Sequence, residues 1–126
     1  MILGLGMDVV EIGRIARILD GPPGRAERFL ARVFSSGEQA ACAGRRDRAA
    51  GLAARFAAKE AASKALGAPE GIRWLDVEVV RTEGPPRLVL AGAAAATAAA
   101  RGVTRTHLTL THDAGVAAAT VVLEGP

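Results

Sequence analysis

The stretch from about Ala49 to Leu66 constrains the fold of this chain more than any other part of it. It is the longest helical pattern in the sequence, and Gly67 and Pro69 close it. Helical positions advance about 100° each. Ala57, Ala58, Ala61, Ala62 and Ala65 therefore cover one side, while Lys59, Glu60 and Ser63 occupy the other. A packing face built of methyl groups lets the helix lie close against a sheet. The rest of the core has the same limit. Half of the 126 residues are hydrophobic, but only three are Phe, one is Trp and none is Tyr, so close backbone packing must stand in for large side chains.

Around this helix the pattern alternates between periods of two and 3.6. Ile2 to Asp8 reads as a strand, with Leu3, Leu5 and Met7 on one face and Gly4, Gly6 and Asp8 on the other. Two glycines on one strand face leave room for another chain or a ligand to approach the backbone, or they mark a bulge. From Val9 the period becomes helical through Ile12, Ile15 and Leu19, until Gly21-Pro22-Pro23-Gly24 stops it. A second helix is expected over about Arg25 to Val33. Ser35 and Glu38 are spaced as a capping box for a third helix, which ends near Gly44. Beyond the central helix, Ile72 to Arg81 and Arg87 to Leu90 read as a hairpin, and about Ala91 to Arg101 as a helix. His107 to Thr111 and Val116 to Leu123 read as strands joined by a tight turn at Asp113-Ala114-Gly115. The order specifies an α+β fold, one domain over residues 1–126, with the alanine-rich helix on a mainly antiparallel sheet.

The net charge is +3, from 16 basic and 13 acidic residues, and arginine supplies all but two of the basic ones. Arg14 and Arg17 share the exposed face of the first helix. Arg25, Arg28 and Arg32 share a side of the second. The mild basic excess suits an acidic partner, or it reflects a genome that favours alanine and arginine codons. A nucleic acid is disfavoured, because no basic run reaches the length of an arm and aromatic platforms for stacking are nearly absent. Cys42, alone among alanines, reads as a small packed hydrophobe and points to a reducing compartment. No apolar run approaches the roughly 20 residues of a membrane span, and Met1 to Met7 lacks the features of a signal peptide. The expectation is a cytoplasmic protein without a membrane partner.

The polar side of the central helix carries Arg55, Lys59, Glu60, Ser63 and Lys64 within about three turns. Two readings are open. The face can be solvated, with Glu60 and Lys64 as an i,i+4 pair of about 0.3 to 0.5 kcal/mol. If Asp8 at its strand end comes near Glu60, two carboxylates from separate elements form the partial shell that Mg²⁺ prefers, beside cations suited to a polyphosphate. His112 is likewise open. In an unbroken strand it shares the apolar face of Leu108 and Leu110; if the strand stops at Thr111 it opens the turn, where binding residues gather.

Three segments together resemble the holo-acyl-carrier-protein synthases, the small phosphopantetheinyl transferases. They are Gly4-Leu5-Gly6-Met7-Asp8-Val9-Val10-Glu11-Ile12 with Arg14-Ile15, Arg55-Phe56-Ala57-Ala58-Lys59-Glu60-Ala61-Ala62-Ser63-Lys64-Ala65-Leu66-Gly67, and His107-Leu108-Thr109-Leu110-Thr111-His112-Asp113. Glu38 after Phe34 fits the glutamate usual between the first two. The resemblance implies a phosphopantetheinyl-transferase-like fold and transfer of 4′-phosphopantetheine from coenzyme A to a serine of an apo-acyl carrier protein, serving fatty acid or polyketide synthesis. It also implies a homotrimer with coenzyme A bound between subunits. Asp8 and Glu60 would hold Mg²⁺, and Lys64 would neutralise the pyrophosphate. Arg55 and His112 would contact phosphates, His112 from the neighbouring subunit, with Arg46 helping at the 3′-phosphate. Glu60, directly or through a metal-bound water, would accept the serine proton. Arg14, Arg17, Arg25 and Arg28 would meet the acidic carrier protein. Thr109 and Thr111 stand where the family often has serines, and Gly67-Ala68-Pro69-Glu70-Gly71 departs from its usual glycine-rich stretch.

Overall fold

The computed structural model describes all 126 residues. In chain order they form β1 (Ile2–Glu11), α1 (Ile12–Leu19), α2 (Pro23–Val33), α3 (Ser36–Cys42) and α4 (Arg48–Ala65). A 3₁₀ turn (Trp74–Asp76), β2 (Val77–Val80), β3 (Arg87–Leu90), α5 (Gly92–Ala100), β4 (Arg105–Asp113) and β5 (Val116–Glu124) follow. The sheet order is β1-β5-β4, with β2 and β3 as a separate hairpin, and every pairing is antiparallel. This is the expected α+β architecture.

The alanine face of α4 lies on the three-stranded sheet: Ala57, Ala58, Ala61, Ala62 and Ala65 are all buried, together with Ala117, Ala119, Val121 and Leu123 of β5. Contact is closest at β1. A Cβ on Gly4 would overlap the carbonyl oxygen of Ala65, and one on Gly6 would overlap that of Ala61. The two glycines therefore serve close backbone approach, not a bulge. Asp8 is the next residue facing the same way, so the seating of Gly4 and Gly6 delivers its carboxylate to the flank of α4.

β1 runs three residues further than expected. Val9, Val10 and Glu11 stay extended because they pair with Ala118, Ala117 and Val116, and β-branched valines suit a strand. The helical period from Val9 therefore becomes a helix only at Ile12, whose N–H donates to the carbonyl of Gly115. α2 starts at Pro23, a residue suited to a first helical turn. Ser35 and Glu38 form the capping box of α3. The stretch Ile72–Arg81 is a strand only from Val77, because Asp76 accepts a hydrogen bond from the Arg73 N–H and closes a 3₁₀ turn ahead of it. The β4–β5 turn is Ala114-Gly115, both at positive φ, as a two-residue hairpin requires.

The other face of the sheet is open. Leu5, Met7 and Val9 point outward from β1 at 66%, 61% and 54% exposure, an uncommon row of large apolar side chains for a free surface. No helix is long and apolar enough to cross a membrane.

Gly6→Ala should destabilise the fold by at least about 2 kcal/mol, because the obstacle is helix backbone that cannot swing aside. For a domain of this size that is a fall in Tm of very roughly 8 °C. Gly13→Ala in α1 meets only the tips of Glu11 and Arg17 and should be neutral or stabilising by up to about 1 kcal/mol. Thermal melts of both variants check the contrast.

Candidate active site

Asp8 and α4 meet through Lys64. Its ammonium donates to Asp8 Oδ1 at 3.0 Å and to the carbonyl of Met7 at 3.1 Å. The Asp8 side chain is 17% exposed and that of Lys64 51%. Lys64 thus turns to the strand, and the alternative of an i,i+4 pair with Glu60 is not what the side chain makes. Glu60 stands one helical turn before Lys64 on the same side of α4. It lines a cleft with Ser63, Ile72, Arg73 and Trp74. Asp8 therefore reaches α4 at Lys64, one turn from Glu60, and does not itself line the Glu60 cleft.

The donor set fits a hard divalent cation. No three His, Cys, Asp or Glu side chains gather anywhere in the chain; the carboxylates on this side are Asp8 of β1, beside Lys64, and Glu60 of α4, one turn away. That leaves open the positions that Mg²⁺ fills with water and phosphate oxygens.

Lys59 behaves unlike its neighbours. It lies on the side of α4 that the sequence pattern makes polar, yet it is buried, and its ammonium is 2.8 Å from Glu38 Oε1. It also donates to the carbonyls of Trp74, at 3.1 Å, and Val77. Glu38 is equally satisfied. Its Oε1 accepts from the Ser35 N–H at 2.9 Å and its Oε2 from the Val79 N–H at 3.0 Å. Burial pulls the Lys59 ammonium below the usual lysine range, while the hydrogen bond and charge of Glu38 pull it back up. The pair ties α3, α4 and the segment 74–79 together and fixes the wall of the Glu60 cleft that Trp74 forms. From the residues alone Glu38 reads as a capping partner, and the family resemblance adds only that a glutamate is usual there. The signal for more was its second oxygen, which a capping box leaves free.

A second cluster lies at the opposite edge of the sheet. Arg55 is buried, donates from Nη1 to the Gly51 carbonyl at 3.1 Å, and has an Nε with no partner. It lines a cavity with Arg45, Arg81, Thr111 and His112. β4 continues unbroken to Asp113, so His112 does share the face of Leu108 and Leu110. It is nevertheless exposed, because it stands at the end of the strand. Of the adjacent pair, Arg45 lines this cavity and Arg46 does not; Arg45 is held by Asp47 at 2.8 Å and 2.9 Å. The guanidinium groups of Arg45 and Arg81 and the His112 imidazole, around the unpartnered Nε of buried Arg55, suit a phosphate group.

The arginine ridge also assembles. Arg14, Arg17 and Arg25 line one groove between α1 and α2 with Gly21 and Pro22, and Arg28 lies outside it. Arg14 sits over the Phe56 ring at 5.6 Å, Phe56 stacks on Trp74 at 4.9 Å, and Trp74 reaches the Glu60 cleft. The ridge is therefore next to that cleft. By contrast, Asp8 and His112 stay apart. β5 separates their strands, with Asp8 opposite Ala119 and His112 opposite Ala117, and α4 covers the strip between.

Comparison with known proteins agrees along the whole chain. The family model described as the 4′-phosphopantetheinyl transferase superfamily matches residues 4–121. The holo-[acyl-carrier-protein] synthase of Anaeromyxobacter sp. (strain K) is 68% identical over 99% of this chain and 98% of its own. The crystal structure of the Helicobacter pylori holo-[acyl-carrier-protein] synthase in complex with coenzyme A superposes with a TM-score of 0.80 at 29% identity, covering 95% of this chain and 99% of that one. The Bacillus anthracis holo-(acyl-carrier-protein) synthase, in complex with CoA (3′,5′-ADP), superposes at 0.78 and 32% identity, covering 100% and 99%.

Lys59→Met should cost about 3–5 kcal/mol, since it leaves the Glu38 carboxylate buried without its counter-charge. Adding Glu38→Gln should recover much of that loss by removing the stranded charge. Urea unfolding of the two single variants and the double variant measures the coupling.

Proposed function

The chain belongs to the 4′-phosphopantetheinyl transferase superfamily, with the holo-[acyl-carrier-protein] synthases, and we propose that it carries out their transfer with Asp8, Glu60 and Lys64 at the reacting end. In this reaction the phosphopantetheine group of coenzyme A passes to a serine of apo-acyl carrier protein. The observation that carries the assignment of residues is the meeting of Asp8 with α4 through Lys64, one turn from Glu60.

Asp8 and Glu60 would hold Mg²⁺, whose charge offsets that of the pyrophosphate during displacement. Lys64 neutralises the same oxygens. The serine hydroxyl attacks the phosphorus that bears the pantetheine arm, the bond from that phosphorus to the bridging oxygen breaks, and adenosine 3′,5′-bisphosphate leaves. Glu60 takes the serine proton, the carboxylate nearest the cleft beside the docking ridge. Arg55, Arg45, Arg81 and His112 hold the 3′-phosphate end; Arg46 stands beside them in sequence without lining the cavity. The groove of Arg14, Arg17 and Arg25, with Arg28 at its margin, receives an acidic carrier protein.

Each site takes residues from two chains in a homotrimer. Within one chain β5 stands between the Asp8 and His112 edges and α4 covers the strip between them, which supports a site completed by the His112 edge of a neighbour. The exposed Leu5, Met7 and Val9 supply an apolar face for that contact. Use of coenzyme A and the single buried thiol fit a cytoplasmic protein.

Intact-mass analysis of an apo-acyl carrier protein after incubation with this protein, coenzyme A and Mg²⁺ should show the gain of one phosphopantetheine, lost with EDTA or with Asp8→Ala. No gain with several carriers would sink the assignment. Glu60→Gln should slow transfer by about 10²–10⁴-fold, and a normal rate with metal still bound would remove Glu60 as base.

Shared sites predict complementation. Asp8→Ala and His112→Ala should each be nearly inactive, yet an equal mixture, dissociated and reassembled, should regain about a quarter of the activity by random assortment in a ring of three. Activity no greater than that of the singles places both residues in one subunit's site.

A further inference from the structure

We propose that Lys64 is a resident counter-cation of Asp8 that keeps a divalent metal from binding until the diphosphate of coenzyme A draws the ammonium away. The inference rests on the reading of Asp8 and Glu60 as metal ligands, and it adds an order of binding to that site.

Both hydrogen bonds of the Lys64 ammonium go to β1, to Asp8 Oδ1 and to the carbonyl of Met7. One oxygen of the mostly covered Asp8 carboxylate is therefore already engaged by a positive charge. A second cation at that carboxylate has to share it with the ammonium or displace it. With Lys64 in place, Asp8, Glu60 and Lys64 together present one net negative charge instead of two. An ammonium has three donors and no acceptor, so Lys64 keeps one donor beyond its two bonds. Its stem is long and its side chain half exposed. An arriving diphosphate offers that ammonium a better acceptor than a carboxylate it shares with a metal. It also supplies oxygens to the metal itself.

Two consequences follow from linkage. Metal alone binds weakly, because it works against a unit charge at contact distance. Metal and coenzyme A then strengthen each other by the same factor, part of which is the release of Lys64 from Asp8. Lys64 also keeps Asp8 oriented before either ligand arrives, which a bare carboxylate at a strand edge would lack.

Mn²⁺ serves as the probe, its free concentration read by electron paramagnetic resonance with the full chain and no nucleotide. Lys64→Met should bind Mn²⁺ about tenfold more tightly than wild type, equivalent to about 1.4 kcal/mol. Lys64→Arg, which keeps the charge, should stay within about threefold. Arg73→Met should also stay within about threefold; Arg73 lines the Glu60 cleft, and its hydrogen bonds run from its main chain to Asp76, not to Asp8. The proposal is overturned if Lys64→Met binds like wild type, or if Arg73→Met gains as much, since the effect would then be the general field of the cleft. A separate arm tests the premise: with saturating coenzyme A, Asp8→Ala should lose the bound Mn²⁺. Retention there removes the carboxylate metal site itself, whatever Lys64 does.

Discussion

β1 and α4 touch backbone to backbone, and the rest of the molecule is arranged around that contact. Gly4 and Gly6 leave no side chain between strand and helix, and the alanines of α4 add only methyl groups. The sheet can then sit near enough for a short aspartate to reach the flank of the helix. A longer acid on a more distant strand would cover the same gap, at a greater cost in side-chain entropy and with a less fixed carboxylate. The alanine content of α4 is thus tied to the position of Asp8. Larger residues would give a better core and a displaced Asp8.

The buried pair of Lys59 and Glu38 does complementary work on the other side of the same helix. A buried ion pair is a weak source of stability compared with an apolar pair of equal volume. What this one provides is fixed geometry: three donors of one ammonium and three acceptor contacts of one carboxylate are all used within the fold. The segment carrying Trp74 is held by main-chain carbonyls, so the wall of the Glu60 cleft does not depend on side-chain packing alone. Phe56 and Trp74, two of the four aromatic residues, stack between that wall and the arginine groove. The scarce aromatics are placed where the cleft and the docking surface adjoin.

Much of this was legible from periodicity. The alternation of Ile2 to Asp8 put the glycines and the aspartate on one face, and the run to Leu66 put the alanines on one side, which is the interface that forms. The capping box at Ser35 and Glu38 was legible because it is local. What sequence could not supply was long-range. Val9 to Glu11 look helical in isolation and are extended because β5 pairs with them. Lys59 looks solvated until Glu38, 21 residues earlier, is brought to it by the packing of α3 on α4. Arg45 and Arg46 are indistinguishable in the sequence, and only the path of the loop selects Arg45 for the cavity. His112 follows the first of its two readings, since the strand does not stop at Thr111, but it is exposed because it stands near the strand's end.

The distribution of charge then explains why a chain only mildly basic can handle an anion as highly charged as coenzyme A. At the His112 edge the cavity is lined by Arg45, Arg55, Arg81 and His112 and by no carboxylate, Asp47 engaging Arg45 from beside it. At the Asp8 edge Lys64 holds Asp8, and Glu60 lines its cleft beside Arg73. A strand and a helix separate the two, so neither cancels the other within the chain. A polyphosphate laid along one edge alone would find either cations with nothing to limit its orientation, or carboxylates that repel it. On the proposed assignment, the phosphate at one end of coenzyme A and the diphosphate at the other meet different edges, so keeping opposite charges apart in the fold counts for more than the total of either sign.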